Sequence, residues 1–248
     1  MRERNRGDHA RRGIGRRPLI VGAAAAAAAV AGAWLQAPPP VPRHRPPRNA
    51  MLDFFDSLGL MRGTDHGPAE PGWVRKWTRP VAVRIHGEPA GPALDQLEDV
   101  LATLSRWTRL PFRAVGDDVY DDARIDVHFV TGGTMEERFD GPVCHCATYG
   151  NGGRLHTGVI EIAEGYTDCL RHEFMHAIGF DNHWVGPHAT EDMSSVLAHR
   201  YSAARSDEFS LCDELAIRML YDPQLAPGMP RIEALPIARD LVDEVFDV

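Results

Sequence analysis

The segment 168–178, which reads Asp-Cys-Leu-Arg-His-Glu-Phe-Met-His-Ala-Ile, constrains the fold more than any other part of this 248-residue chain. An α-helix turns by about 100° per residue, so His172 and His176 would lie together on one side of such a helix. Apolar residues gather on the opposite side: Leu170, Phe174, Ala177 and Ile178. The sequence therefore predicts a helix that packs through one face and presents two imidazoles from the other.

The two histidines and the glutamate between them form the pattern H-E-x-x-H. Imidazoles four residues apart on a helix can both reach one zinc ion, at about 2.0–2.1 Å from each nitrogen. Glu173 would stand beside that ion without binding it, accept a proton from a zinc-bound water and return it to the leaving amine. We therefore expect His172 and His176 to be metal ligands and Glu173 to be the catalytic base. The alternative is a helix with two surface histidines.

Glycine follows this helix at position 179, where a left-handed residue can end the helix and turn the chain back toward the metal. At this point the sequence resembles the metzincin metalloproteases, whose pattern is HExxHxxGxxH. Four of its positions are matched: His172, Glu173, His176 and Gly179.

The third metal ligand of that pattern is the point at which this chain departs from it. Asn182, a poor zinc ligand, stands where the family has its last histidine, and His183 comes one residue later. We expect His183 to be the third ligand through a shifted loop. Asp181 or a water molecule remains an alternative.

The metzincin resemblance extends beyond the helix. The segment 194–197 stands where that family has a methionine-containing turn below the metal, with Leu197 in place of the methionine. Ser210 and Asp213 have the spacing of a capping box, which predicts the start of the family's closing helix. By the same resemblance, His199 or Tyr201 would stabilise the oxyanion.

A closer resemblance is to an exported bacterial family known as domain of unknown function 2927, over about Trp73 to Val242. The segments that carry it are the Cys-x-Cys pair of Cys144 and Cys146, Cys169 before the helix, the run from Ile178 to His183, and the run from Leu220 to Met229. Members often lack the full H-E-x-x-H pattern, which implies an offshoot of the metzincins in which activity can be lost. This chain retains the pattern, which makes it the better candidate for an active member.

Hydrophobic periodicity before residue 168 predicts an α+β domain. Leucine and valine recur at helical spacing from Pro92 to Trp107, which indicates a long helix. Strands are predicted from alternation and composition at Pro80–His86, Leu110–Val115, Arg124–Val130 and Gly158–Ala163. The expected fold is metzincin-like, with a mixed sheet packed on the long helix and on the helix that carries the histidines.

The N-terminal segment, residues 1–37, has an Arg-rich head and a mostly alanine apolar run, which predicts a signal sequence or signal anchor. Arg16 and Arg17 also fit a twin-arginine signal. Residues 38–72 are rich in proline and glycine and predict a linker, followed by a catalytic domain over 73–230 and a C-terminal helix over 231–248. We expect an exported protein, secreted or anchored to the outer face of the cytoplasmic membrane.

Four cysteines are consistent with export, because disulfides persist outside the cytoplasm. Cys144 and Cys146 are too close in sequence to bridge each other comfortably, so each is expected to pair with a distant cysteine, Cys169 or Cys212. A bridge to Cys169 would fix the loop before the helix. A cysteine zinc site is the rival interpretation, although CxxC spacing is lacking.

Charge narrows the choice of partners. Ten of the 27 basic residues but two of the 35 acidic residues lie in residues 1–48, which leaves 17 basic against 33 acidic residues. Such an acidic domain is repelled by nucleic acid and by anionic lipid. We expect a monomeric zinc endopeptidase that acts on peptides or proteins and meets a membrane only through its N-terminal segment. Two alternatives are a non-catalytic envelope binding protein on the same scaffold and a cysteine-stapled redox or metal-storage protein.

Overall fold

A five-stranded mixed sheet organises the fold. The computed structural model describes residues 45–62, 70–116, 121–131, 144–185, 193–198, 202 and 204–246. The strands of the central sheet are β3 (Val81–His86), β4 (Phe112–Val115), β5 (Arg124–Val130), β6 (Cys144–Asn151) and β7 (Arg154–Ala163). A separate two-stranded ribbon is formed by β1 (Met61–Arg62) and β2 (Glu70–Pro71).

Helices and helical turns complete the described part of the chain. The α-helices are α1 (Arg48–Phe55), α2 (Gly91–Thr108), α3 (Leu170–Ala177), α4 (Leu211–Leu220) and α5 (Arg231–Phe246). A π-helical turn, Asp56–Leu60, follows α1, and a 3₁₀ turn, Thr167–Cys169, leads into α3. No helix among these residues is long and apolar enough to cross a membrane. The predicted signal or anchor lies outside the described residues.

The order of the strands leaves β6 at one edge of the sheet. The order is β4-β3-β5-β7-β6, in which the first four strands are parallel and β6 is antiparallel to β7. Antiparallel pairing is allowed here because β6 and β7 are joined directly by a short hairpin at Asn151 and Arg154. In the described residues, β6 pairs with a strand on one side only.

Helices α2 and α3 pack against the sheet, which positions the histidine helix along its edge. Apolar side chains on one face of the sheet are completely buried, among them Val83, Ile125 and Ile160. Helix α3 contacts β6 and β7, whereas α2 contacts β4 and α3. Helix α3 therefore lies next to the edge strand β6.

The N-terminal boundary of the domain differs from the boundary expected from the sequence. The chain forms one compact unit from His44 onward, not from Trp73. Met51, Phe54 and Phe55 on α1 have no exposed surface and belong to the hydrophobic core, where α1 contacts α4 and α5. The proline-rich composition of residues 38–47 led to the prediction of a linker, which hid the apolar face of α1.

Most predicted elements are confirmed, and the α+β class with a mixed sheet is correct. Strand β6 is the main element that the sequence did not predict. Its residues, Cys-His-Cys-Ala-Thr-Tyr-Gly-Asn, show no strong apolar alternation, and the side chains from Cys144 to Thr148 are all half-buried. An edge strand with this burial gives little periodic signal.

Candidate metal centre

Helix α3 is fixed by its apolar face and by its C-terminal end. Phe174 and Ile178 are completely buried, and the Trp77 indole donates a hydrogen bond of 2.9 Å to the Ala177 carbonyl oxygen. Gly179 then adopts a positive φ of 122°, and a Cβ there would collide with the Arg75 carbonyl oxygen. As the sequence predicted, glycine is needed to end the helix and redirect the chain.

Three histidines meet beside this helix. The Nε2 atoms of His172 and His176 are 3.2 Å apart, and those of His172 and His183 are 3.0 Å apart. One nitrogen from each of the three rings lies within 4.8 Å of the others. Two nitrogens that bind one tetrahedral zinc ion are expected to be about 3.3 Å apart, given bonds of about 2.0–2.1 Å. The cluster could therefore hold one metal ion.

The other ring nitrogens show which atoms face the centre of the cluster. His172 Nδ1 lies 2.7 Å from the Val196 carbonyl oxygen, and His176 Nδ1 lies 2.7 Å from the Phe180 carbonyl oxygen. A carbonyl oxygen only accepts, so each Nδ1 must donate, and a neutral ring then has a bare lone pair at Nε2. Two facing lone pairs repel unless a cation lies between them. The arrangement is that of metal-binding histidines oriented by backbone carbonyl groups.

Burial keeps the His172 ring neutral. This residue is 9% exposed, and burial, followed by the nearby positive charge of His176 when protonated, lowers its pKa to about 3. A neutral imidazole is the form that binds a metal ion, so the ring is ready for that role at neutral pH.

The loop after α3 brings in His183 because its neighbours on both sides are anchored. The Asn182 amide donates hydrogen bonds to the carbonyl oxygens of Ser57 (3.0 Å) and Met61 (2.8 Å). On the other side, the backbone N–H of Trp184 donates to the Leu197 carbonyl oxygen at 2.7 Å. The side chain of Asn182 therefore points toward the segment 57–61, and His183 faces His172.

Asp181 is not available to a metal ion in this arrangement. Its carboxylate forms ion pairs with Arg75, at 2.6 Å, and with Arg62. Its backbone N–H donates to the Leu58 carbonyl oxygen at 3.2 Å. Of the two protein residues considered for the third position, the structure brings His183 into the cluster and uses Asp181 to hold the loop.

The buried turn at Ser195 and Val196 orients His172, and sequence reasoning missed its connection to α4. Asp213 forms the predicted capping box with Ser210, and its carboxylate also accepts from the Ser195 hydroxyl at 2.5 Å and from the Val196 backbone N–H at 3.2 Å. Ser195 and Asp213 are both completely buried. One aspartate thus starts α4 and fixes the turn whose carbonyl group orients His172.

Glu173, which follows His172 on α3, is buried, and the pKa of its carboxyl group is raised. It is 6% exposed, and burial raises the pKa of its carboxyl to about 8, against the opposing effect of the positive charge of Arg205. Sequence reasoning also missed Arg205, because it lies 32 positions after Glu173 and matches no motif. A cation bound by the histidines would favour the ionised form of Glu173.

The cysteines divide into one disulfide and two thiols. Cys144 and Cys169 are bonded, so the bridge joins the start of β6 to the residue before α3, as expected for the loop preceding the helix. The expectation that Cys146 also pairs with a distant cysteine is wrong. Cys146 on β6 and Cys212 on α4 are free thiols, and the sulfur of the buried Cys212 lies 3.8 Å from the sulfur of Met193.

The two candidates for oxyanion stabilisation, His199 and Tyr201, lie outside the described residues, so their role stays a prediction. The described part of the site comprises three histidines, a buried glutamate and the network that orients them. Neither a protein-family model nor a curated protein matches this chain at a significant level.

Proposed function

We propose that this protein is an exported zinc endopeptidase with a metzincin-like fold, related to the family of domain of unknown function 2927. The observation that carries the proposal is the convergence of His172, His176 and His183 with their Nε2 atoms facing one point. Three neutral imidazoles with an open fourth position are a common ligand set of catalytic zinc. Zinc bound there would supply Lewis acidity for the carbonyl group that is attacked.

Glu173 supports catalysis over a purely structural metal site. A structural site has no use for a buried carboxyl next to the ligands, because burying that group costs free energy. At the carboxylate of Glu173 a proton can be taken from the attacking water and returned to the leaving amine. This residue is therefore proposed as the general base and then the general acid.

The position of α3 along β6 supports a peptide as the substrate. A strand edge can pair with an extended peptide through backbone hydrogen bonds, and β6, which has one neighbouring strand in the described residues, contacts the helix that carries His172 and His176. The disulfide between Cys144 and Cys169 holds this edge against the start of α3. A disulfide at that place also supports action in an oxidising compartment outside the cytoplasm.

Hydrolysis of peptides by matched variants tests the proposal. The zinc-loaded full chain, Glu173→Gln and the control Glu88→Gln, a change at an exposed loop residue, are incubated with a peptide mixture, and products are identified by mass spectrometry. We expect new peptide ends with wild type and Glu88→Gln, and a loss of at least about 100-fold with Glu173→Gln at unchanged zinc content. Zinc binding without hydrolysis of any peptide would contradict the proposed activity and support a binding scaffold.

A further inference from the structure

A second concave site lies at the far end of the β6–β7 hairpin from the disulfide. It has a volume of about 310 Å³, which is at the lower end of the range for small ligand sites. Its wall is formed on one side by the hairpin residues Thr148, Tyr149, Gly150, Gly152 and Gly153, and on the other by Arg62, Trp73 and Arg75.

The charge in this pocket is not balanced. Arg62 and Arg75 are the charged residues among those that line the pocket, and in the described part of the chain both pair with the carboxylate of Asp181, so these three side chains together carry one net positive charge. The Nε atom of Arg62 is buried and has no hydrogen-bond partner. Burial, followed by the charge of Arg75, lowers the pKa of Arg62 to about 10. An anion in the pocket would neutralise the excess charge of the two guanidinium groups.

Aromatic rings form the exposed rim of the pocket. Trp73 is 45% exposed and Tyr149 is 60% exposed, although large aromatic side chains are usually covered. The Arg62 guanidinium lies 4.5 Å from the centre of the Trp73 ring and donates to the Trp73 carbonyl oxygen at 3.2 Å. The flat faces of these rings can cover the aliphatic part of a ligand whose charged end reaches Arg62.

The pocket is connected to the metal centre through two chains of contacts. Asp181, which binds both arginines, lies two residues before His183. Thr148, which accepts a 2.8 Å hydrogen bond from Arg75, lies two residues along β6 from Cys146, and β6 is a strand that the histidine helix α3 contacts. With about 3.3 Å per residue, Tyr149 lies about 10 Å along the strand from Cys146.

We propose that this pocket binds a carboxylate of the peptide substrate at one position on the β6 side of the cleaved bond. The carboxylate is that of an aspartate or glutamate side chain, or the free C-terminus of the peptide. This inference rests on the proposed endopeptidase function and adds the class of substrate to it. The pocket would make an otherwise acidic domain select acidic peptides at one defined position.

The experiment uses sets of matched synthetic peptides. Each set is built on one neutral peptide sequence and tests one position, up to four residues from the cleaved bond. The first version has Glu at that position and the second has Gln, and both have blocked ends. The third version has Gln and a free C-terminal carboxylate. The ratio of kcat/KM for Glu over Gln peptides is measured for the zinc-loaded full chain. The ratio of Kd for the Gln peptide over Kd for the Glu peptide is measured by calorimetry with the variant Glu173→Gln, because a binding measurement needs no hydrolysis.

We expect a preference of about 10-fold or more for the carboxylate at one position. The preference should fall to about 1 in Arg62→Gln, recover in part in Arg62→Lys, and persist in Arg79→Gln, whose arginine is exposed and pairs with Asp122. A ratio is compared within each variant, so partial loss of folded or zinc-loaded protein does not alter it. Preference for the free-acid peptide alone would assign the pocket to the C-terminus.

Equal use of Glu and Gln peptides at every position would overturn the inference while leaving the proposed hydrolysis intact. An undiminished preference in Arg62→Gln would also overturn it. Discrimination in binding without hydrolysis by wild type would support the pocket and contradict the proposed enzymatic activity instead.

Discussion

The two helix ligands and the loop ligand of the candidate metal centre are held in different ways. His172 and His176 are brought together by the pitch of α3, and their rings are oriented by carbonyl groups of nearby turns. His183 depends on residues far away in sequence, because Asn182 and Asp181 are anchored to the segment 57–62 and to Arg75. A local pattern therefore creates two-thirds of the site, and tertiary contacts create the rest.

Removal of the residues before Trp73, which include α1, should have the largest effect, because the loop that carries His183 is anchored to the segment 57–62. Met51, Phe54 and Phe55 are completely buried, and burial of each side chain contributes about 1.5–3 kcal/mol. Loss of these three alone would remove roughly 5–9 kcal/mol from a typical unfolding free energy of about 5–15 kcal/mol. A chain that begins at Trp73 should therefore show no cooperative thermal transition by circular dichroism, whereas one that begins at Arg45 should. A cooperative, zinc-binding Trp73 chain would show that α1 is dispensable.

Moving the histidine to the position of the metzincin pattern tests whether motif or loop determines the third ligand. In the double variant Asn182→His and His183→Ala, the histidine takes the place of a side chain that faces the Ser57 and Met61 carbonyl oxygens. We expect stoichiometric zinc binding to be lost, as measured by elemental analysis after dialysis. Full zinc content in the double variant would mean that the loop register follows the motif instead.

Weakening the loop after α3 without changing any of the three histidines should have an intermediate effect on stability and zinc affinity. Asp181→Ala leaves Arg62 and Arg75 close together without their shared carboxylate. We expect about 2 kcal/mol lower stability, discounted for partial exposure, and about 10–100-fold weaker zinc affinity in competition with a chelating dye. Asp122→Ala, which removes only an exposed partner of Arg79, is the matched control and should change neither quantity. Unchanged zinc affinity in Asp181→Ala would separate loop anchoring from metal binding.

Acidification of the metal-free protein should have the smallest effect on stability, and this effect should come from His172 on α3. The folded-state pKa of His172 is lowered to about 3, so the unfolded chain binds the extra proton between about pH 6.5 and 3. Stability should therefore fall as pH falls through this window, by about 1.6 kcal/mol for this residue between pH 6.5 and 5. Urea unfolding of wild type and His172→Gln at the two pH values measures the difference. An equal pH dependence in both proteins would remove His172 as its source.

Sequence patterns and tertiary contacts explain which parts of the structure were predictable. Helix α2, strand β5 and the capping box of α4 follow from local periodicity or spacing, and each was predicted close to its observed bounds. The H-E-x-x-H spacing likewise brought His172 and His176 together on one helix, with Glu173 between them. The buried role of α1 was hidden by the proline-rich composition before it, and β6 has no apolar alternation.

The supports of the metal centre were the least predictable features. Asp213 reaches the turn at Ser195 and Val196 across 17 or more residues of sequence, and its capping-box spacing gave no sign of that second role. Asn182 was judged only as a poor ligand, although its amide is what fixes the loop. Long-range hydrogen bonds of this kind depend on the folded arrangement of separate elements and leave no periodic signal in one sequence.

The most direct test of the account is the metal content and coordination of the full chain beside His183→Ala and His156→Ala, the latter a change at an exposed histidine outside the cluster. We expect about one zinc ion per chain in wild type and His156→Ala, with three nitrogen ligands at about 2.0–2.1 Å by X-ray absorption spectroscopy. His183→Ala should lose the ion on dialysis. Absence of zinc from wild type under zinc excess, or full retention in His183→Ala, would contradict the three-histidine centre.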